Sequence, residues 1–193
     1  GGTVQLTDAQ TRYGWSSIAL YWAGAVSVVM MWLIGHVMTL ASTGETEKAE
    51  LIHVHTSVAV TIFILLVGRI AHRFVMGFPG RTLDQKPVSF LLTRLLQYAL
   101  LLGIATMLIS GPLMVWANGD GIEVFNWGQI PSPFEPNATL YELMLQIHRT
   151  TRWALMIGVL AHVVGVFRSP AETLNRMLLA PETLQHGNDS EAD

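Results

Sequence analysis

The chain has no cysteine among its 193 residues, and only 13% of its residues are charged. The lack of cysteine excludes disulfides, iron–sulfur clusters, thiolate zinc sites, c-type haem attachment and cysteine nucleophiles. Soluble domains carry about 25% charged residues, so the composition argues against an ordinary soluble enzyme. The chain also lacks a tract of basic residues, and nucleic acid is therefore not expected as a partner.

The few charged residues are unevenly distributed along the chain. Two long stretches, residues 13–44 and 95–119, contain none. Apolar runs of about 20 residues, at a rise of about 1.5 Å each, are long enough to cross a membrane as helices. Four such segments are predicted, at about residues 15–41, 51–74, 91–117 and 141–167. The sequence therefore predicts an all-α, integral membrane four-helix bundle.

The few charges predict the orientation of this bundle. The connection between the second and third segments is rich in basic residues: Arg73, Arg81, Lys86 and Arg94. The stretch 117–147 has no Lys or Arg, and the stretch 42–50 has one lysine against three glutamates. The positive-inside rule therefore predicts that both termini and the middle connection lie on the cytoplasmic side of the bacterial inner membrane. The acidic loops are predicted to lie on its outer side.

Two regions are expected outside the regular spans. Residues 1–170 are predicted to form the bundle, and residues 171–193 a short cytoplasmic amphipathic segment with a disordered tail. The outer loop 118–140 has no clear secondary-structure pattern, and loops of that length are uncommon unless functional or disordered. Its aromatic residues predict a packed cap over the bundle: Phe125, Trp127 and Phe134.

Histidine is the unusual residue inside the spans. Six of the seven histidines lie in or beside them: His36, His53, His55, His72, His148 and His162. Ionisable groups at membrane depth are costly, and each is a functional hypothesis by default. One buried histidine is readily explained by a bond to nearby backbone, but six are too many for that explanation alone.

The spacing of the histidines suggests haem. His148 and His162 are 14 residues apart in the fourth span, which places them within about 40° of one face and about 21 Å apart along the axis. That separation suits one ligand to each of two stacked haems rather than a shared metal ion. His55 lies at the same depth as His148, so the two histidines can hold an outer haem. Candidate counter-ions for haem propionates are Arg69, Arg149 and Arg152.

These motifs resemble the bacterial cytochrome b561 family, whose best-known member is a superoxide:ubiquinone oxidoreductase. The second span has the family's histidine, 13 intervening residues, arginine, three residues and arginine, in His55, Arg69 and Arg73. The fourth span has the paired histidines, and the segment Ser110-Gly111-Pro112-Leu113-Met114 resembles the third span. Related cytochrome b subunits anchor formate dehydrogenases and nickel–iron hydrogenases.

The resemblance implies an outer haem b between His55 and His148, with His53 as a competitor whose distance to Arg69 fits the family pattern less well. It also implies an inner haem, but Tyr21 stands where the family has its histidine in the first span.

Three interpretations of the inner site remain open. In the first, His72 is the second ligand of the inner haem, together with His162. In the second, Tyr21 binds the haem iron as tyrosinate. In the third, the inner haem is absent or altered, and His162 bonds a quinone or the backbone. His36, near the outer end of the first span, is either an interfacial histidine or a neighbour of the haem edge or a quinone.

The expected function is electron transfer between a periplasmic donor and the membrane quinone pool, with quinone as substrate and lipid as surroundings. Small anions such as superoxide are usually steered by positive potential. The acidic outer loops therefore favour a cationic redox protein as donor, and a superoxide:ubiquinone oxidoreductase activity is kept as a sub-case. The alternatives are a haem-carrying anchor subunit of a larger complex, or a non-redox interaction protein with reduced cofactor content.

Overall fold

The computed structural model describes residues 14–40, 45–78 and 86–168. The elements in these ranges are α1 (Trp15–Leu40), α2 (Glu45–Met76), α3 (Pro87–Ala117), β1 (Ile122–Val124), β2 (Gly128–Ile130) and α4 (Ala138–Arg168). All four helices are long and apolar enough to cross a membrane, which confirms the predicted all-α four-span bundle. The predicted amphipathic segment and tail after residue 170 lie outside the described ranges.

Local sequence explains where the helices begin. Pro87 occupies the first turn of α3, where its missing N–H costs no helical hydrogen bond. The side-chain oxygen of Asn137 accepts a hydrogen bond from the Leu140 N–H at 2.9 Å and so caps the first turn of α4. Helix α3 continues through Pro112. Interior prolines are tolerated in spanning helices because neighbouring groups re-satisfy the freed carbonyl.

The helices form two closely packed pairs, with α1 lying along α2 and α3 along α4. Small residues allow the close approach of α3 and α4. A Cβ atom on Gly103 would lie 2.9 Å from the Leu155 Cγ, and one on Gly158 would lie 3.0 Å from the Leu100 Cδ2. Helix association in lipid depends on such close backbone packing, because lipid tails are as apolar as the side chains they replace.

A central apolar layer crosses the middle of the bundle and consists of Leu66, Ile104 and Leu155, all of them buried. Leu155 lies seven residues from both His148 and His162, or about 10 Å along the axis from each. The layer therefore separates two levels of polar side chains. The outward faces of the helices carry large exposed apolar residues, as lipid contact requires: Val26, Leu33, Ile64, Leu102 and Ile157.

The long connection between α3 and α4 contains a short antiparallel β-hairpin, with Ile122 paired to Ile130 and Val124 to Gly128. The expectation of no clear secondary structure there was therefore wrong. The hairpin lies against α2, since the buried Ser57 hydroxyl accepts a bond from the Phe125 N–H at 2.8 Å. We call this side of the bundle the hairpin end.

The aromatic residues of this connection do not all pack inward. The Trp127 side chain is 84% exposed and Phe125 is 40% exposed. Phe134 is half-buried and lies edge-on to Trp116, with ring centroids 6.5 Å apart. The predicted aromatic cap is thus only partly formed, because backbone hydrogen bonds to Ser57 hold the hairpin while its aromatic tip stays free of the bundle.

Candidate functional site

Two histidines face each other in the hairpin half of the bundle. His55 on α2 and His148 on α4 each lie ten residues after the first residue of their helix, so they share one depth. Their imidazole centroids are 6.5 Å apart, with the ring planes at 80°. Two bonds of about 2 Å from ring nitrogens to one metal, plus about 1 Å from each nitrogen to its ring centre, give a similar separation. The pair therefore has the spacing of two axial ligands.

A serine on α3 orients the second of these rings. The Ser110 hydroxyl lies 3.0 Å from His148 Nδ1, and Ser110 itself is only 1% exposed. In the tautomer with its proton on Nδ1, His148 donates this bond and keeps the lone pair of Nε2 for a metal. Metal-binding histidines almost always have such an outer partner, which fixes both tautomer and ring orientation.

Each ring also lies against a helical glycine. A Cβ atom on Gly35 would lie 3.4 Å from His55 Cε1, and one on Gly111 would lie 3.5 Å from His148 Cε1. Any longer side chain at these positions would enter the space beside the imidazoles. Within the described part of the chain, His55 Nδ1 is buried without a hydrogen-bond partner. Buried polar atoms are rarely left in that state, so this level of the bundle suits an additional group.

Aromatic and basic side chains continue the site toward α1. Trp32 and His36 are stacked, with centroids 4.9 Å apart, and Trp153 stands edge-on to both. The Arg152 guanidinium lies 5.2 Å from the Trp153 ring centre and donates to the Gly35 carbonyl at 3.4 Å.

Three polar atoms of this group are buried without a partner among the residues the structure describes: Trp32 Nε1, His36 Nδ1 and Arg152 Nε. The tryptophan and arginine atoms can only donate, so an acceptor is the group that would satisfy them. The carboxylates of a haem have that chemistry, and the residues present therefore fit haem b at this level. Of the three arginines expected as counter-ions, Arg152 has the best placement, whereas Arg149 is exposed.

The competing histidine has a different environment. His53 Nε2 lies 3.1 Å from the Phe125 carbonyl and 3.7 Å from a Glu123 carboxylate oxygen. Both contacts belong to the β-hairpin, so His53 serves the attachment of the hairpin, and this supports His55 as the ligand from α2. His36 lies in the aromatic group described above rather than alone at the interface.

The opposite half of the bundle holds the other candidate residues. The Tyr21 hydroxyl lies 3.1 Å from His162 Nε2. The Arg69 guanidinium lies over the Tyr21 ring at 5.2 Å from its centre, on the far side of the central apolar layer from the His55–His148 pair. His72 Nε2 lies 3.3 Å from the Ser16 hydroxyl. The structure thus brings Tyr21, His162 and Arg69 together and gives His72 a separate partner.

Sequence reasoning missed several residues of the site. Ser110 and Gly111 entered only as part of a motif of resemblance, and Gly35 was not singled out. Trp32 precedes His36 by four residues and therefore lies on the same helical face. That spacing was the available signal for the aromatic group.

We expect the variant Ser110→Ala to bind haem about 10- to 100-fold more weakly, the usual cost of removing an outer partner of a metal-binding histidine. Retention of haem during dilution and washing measures the loss. Thr106→Ala, one turn earlier on α3, is the matched control because, among the described residues, the Thr106 hydroxyl bonds only the Leu102 carbonyl of its own helix. Equal haem retention by the two variants would contradict the role given to Ser110.

Four spanning helices with paired imidazoles inside the bundle define a membrane protein of the b-type cytochrome class. Residues 12–179 match the family described as prokaryotic cytochrome b561, and the chain belongs to that family. It is similar to cytochrome b561 homolog 2 of Escherichia coli strain K12, with 26% identity over 179 residues, covering 91% of this chain and 95% of that protein. It is therefore a multi-pass protein of the bacterial inner membrane that transfers electrons with haem b.

Proposed function

We propose that the chain transfers electrons between a periplasmic donor and the membrane quinone pool, with His55 and His148 as the two axial ligands of haem b. The facing of these two rings at one depth, with centroids 6.5 Å apart, is the observation that carries the proposal. A haem held by these two imidazoles would supply a one-electron carrier, which would suit electron transfer rather than oxygen chemistry.

The surrounding residues have separate tasks in this proposal. Ser110 holds the His148 tautomer, while Gly35 and Gly111 keep the space beside the two rings clear. Trp32 and Arg152 supply donors for carboxylates, and placing a guanidinium opposite a buried carboxylate avoids an unpaired charge at membrane depth. The central apolar layer keeps water in the opposite half of the bundle from reaching the site.

The charges at the two ends support an orientation with the hairpin end facing the periplasm. The described basic residues at the opposite end are Arg73, Lys86, Arg94 and Arg168. The connection that carries the hairpin has no Lys or Arg between Ala117 and Ile147. Under the positive-inside rule this distribution supports an orientation with the basic end, and both termini, on the cytoplasmic side.

The surface of the hairpin end favours a cationic donor. Its exposed carboxylates are Glu47, Glu50, Asp120, Glu123, Glu135 and Glu142, and Lys48 is the lysine among them. A field of this sign accelerates the approach of a basic protein, such as a c-type cytochrome, and slows a small anion such as superoxide. Arg149 is exposed, but Arg152 lies half-buried beside Trp153 and adds little positive potential at the surface.

Vesicles that hold the haem-loaded protein and a quinone test this proposal. We expect a reduced, basic c-type cytochrome whose reduction potential lies below that of the quinone to drive quinone reduction at a rate that falls about tenfold or more from low salt to roughly 0.5 M salt, because salt screens the attraction. With superoxide as donor the rate should be slow and should rise with salt. The double variant Asp120→Asn, Glu135→Gln should slow only the cationic donor. No quinone reduction with any donor in haem-loaded protein would contradict the proposal.

One observation favours a second candidate function, that of a haem-carrying anchor subunit. Trp127 and Phe125 form an exposed aromatic pair at the hairpin tip, with centroids 5.6 Å apart. Exposed aromatic residues are enriched where proteins bind one another. Co-purification of a water-soluble redox subunit that is lost in the variant Trp127→Ala would support this candidate.

A further inference from the structure

We infer that this chain binds a single haem, because a hydrogen-bonded Tyr21–His162 pair takes the place of the second. The inference rests on the proposed function of the His55–His148 site, which it limits to one half of the bundle. His162 lies 14 residues after His148, where the resemblance implies a ligand to an inner haem. The residues that surround His162 decide whether such a haem fits.

The distance between the two side chains is the first argument. Tyr21 Oη and His162 Nε2 are 3.1 Å apart, the length of a direct hydrogen bond. An iron held between them would need about 4 Å, from two metal–ligand bonds of about 2 Å each. The ring nitrogen that would bind iron is also the atom that makes this bond, so the pair satisfies itself without a metal. The His148 ring differs, because its serine partner binds Nδ1.

Arg69 lies beside the Tyr21–His162 pair. Its side chain lies against α1 at Gly24, where an added Cβ atom would come within 2.6 Å of the Arg69 Cδ. Its guanidinium covers the Tyr21 ring at 5.2 Å from the centre. Arg69 therefore packs against Tyr21 from α2 and supports the Tyr21–His162 pair in its hydrogen-bonded position.

His72, the remaining candidate ligand, has a different hydrogen-bond partner. His72 Nε2 lies 3.3 Å from the Ser16 hydroxyl, whereas His162 contacts Tyr21. Pairing His72 with His162 would break two part-buried hydrogen bonds, the one to the Ser16 hydroxyl and the one to the Tyr21 hydroxyl. The residues at this level therefore do not fit a second haem with two axial protein ligands.

Haem stoichiometry in the intact wild-type protein tests the inference directly. The ratio of haem to chain, from the pyridine haemochrome spectrum and quantitative amino-acid analysis, is expected to be one, with a single one-electron wave in a redox titration. Two haems per chain would overturn the inference and leave the proposed function intact. No haem would overturn the proposed function together with the inference.

Three variants then test the cause. Tyr21→His supplies the imidazole that the family has at this position and is expected to double the haem content to two per chain. Tyr21→Phe is the matched control, because it removes the hydroxyl without adding a ligand, and it should stay at one. His162→Ala should also stay at one. A Tyr21→His protein that remains at one haem, or a His162→Ala protein that loses its haem, would overturn the assignment.

Discussion

Replacing His148 with alanine is expected to abolish the b-type absorption bands of the purified protein. His148 is one of two imidazoles that face each other at one depth, whereas the His36 ring of the same site is stacked on Trp32. If His148 holds the haem iron as proposed, its loss should exceed the roughly 10- to 100-fold cost of losing an outer partner. The reduced-minus-oxidised spectrum, normalised to protein, measures the effect, and His55→Ala should behave alike.

The control for this prediction is His53→Ala. His53 also lies on α2, two residues before His55, but its ring bonds the hairpin at the Phe125 carbonyl. Its removal should leave the haem bands in place, while the hairpin loses one attachment. A His148→Ala protein that keeps the wild-type spectrum would show that the haem lies elsewhere.

The variant Gly111→Leu has the second largest expected effect. A Cβ atom at this position would already lie 3.5 Å from His148 Cε1, so the rest of a leucine side chain would enter the space beside the imidazole. Overpacking of this kind typically costs about 1–3 kcal/mol. At about 1.4 kcal/mol for each factor of ten, haem binding should weaken about 5- to 150-fold. Haem titration of the depleted protein measures the change.

Gly165→Leu is the matched control for this substitution. Gly165 is also a glycine of a spanning helix, but an added Cβ atom there would meet no atom of the described residues within 4 Å. Both variants exchange glycine for leucine in a helix interior, so both gain the same helix propensity. If both variants bind haem as tightly as the wild type, Gly111 does not border the haem.

The spans were predictable from the sequence because the signal is local. Long uncharged runs located α1 and α3 to within a few residues, and α4 was recovered despite Arg149 and Arg152 near its start. The helical rise per residue also predicted that His55 and His148 lie at one depth, because the depth of each histidine follows from its distance from the end of its own helix. The facing of their rings follows from that depth together with the packing of α2 and α4 in one bundle.

The partners of these histidines were not predictable, because they come from other helices. Ser110 reaches His148 from 38 residues away, and Gly35 meets His55 from α1. The contact between Arg152 and the Gly35 carbonyl joins residues 117 apart. Such contacts depend on the rotation of each helix about its own axis. The sequence of an apolar span specifies this rotation only weakly, because the lipid-facing and protein-facing sides of the helix are alike in composition.

The β-hairpin was missed for a different reason. Its strands have three residues each, and the turn between them lacks the Asn-Gly or Asp-Gly pair that marks a tight hairpin. Its position is set by the Ser57 hydroxyl, which bonds the hairpin backbone from α2. A buried serine in an apolar helix gives no sign in the sequence of which backbone it will bond.

The central apolar layer has an electrical consequence. Moving one charge across a whole membrane at 100 mV involves about 2.3 kcal/mol. Electron transfer confined to the level of His55 and His148, on one side of Leu66, Ile104 and Leu155, crosses only part of that field. With Tyr21 and His162 bonded to each other on the far side, reduction of a quinone that takes its two protons from the hairpin end would move no net charge across the membrane, and turnover should then depend little on the membrane potential.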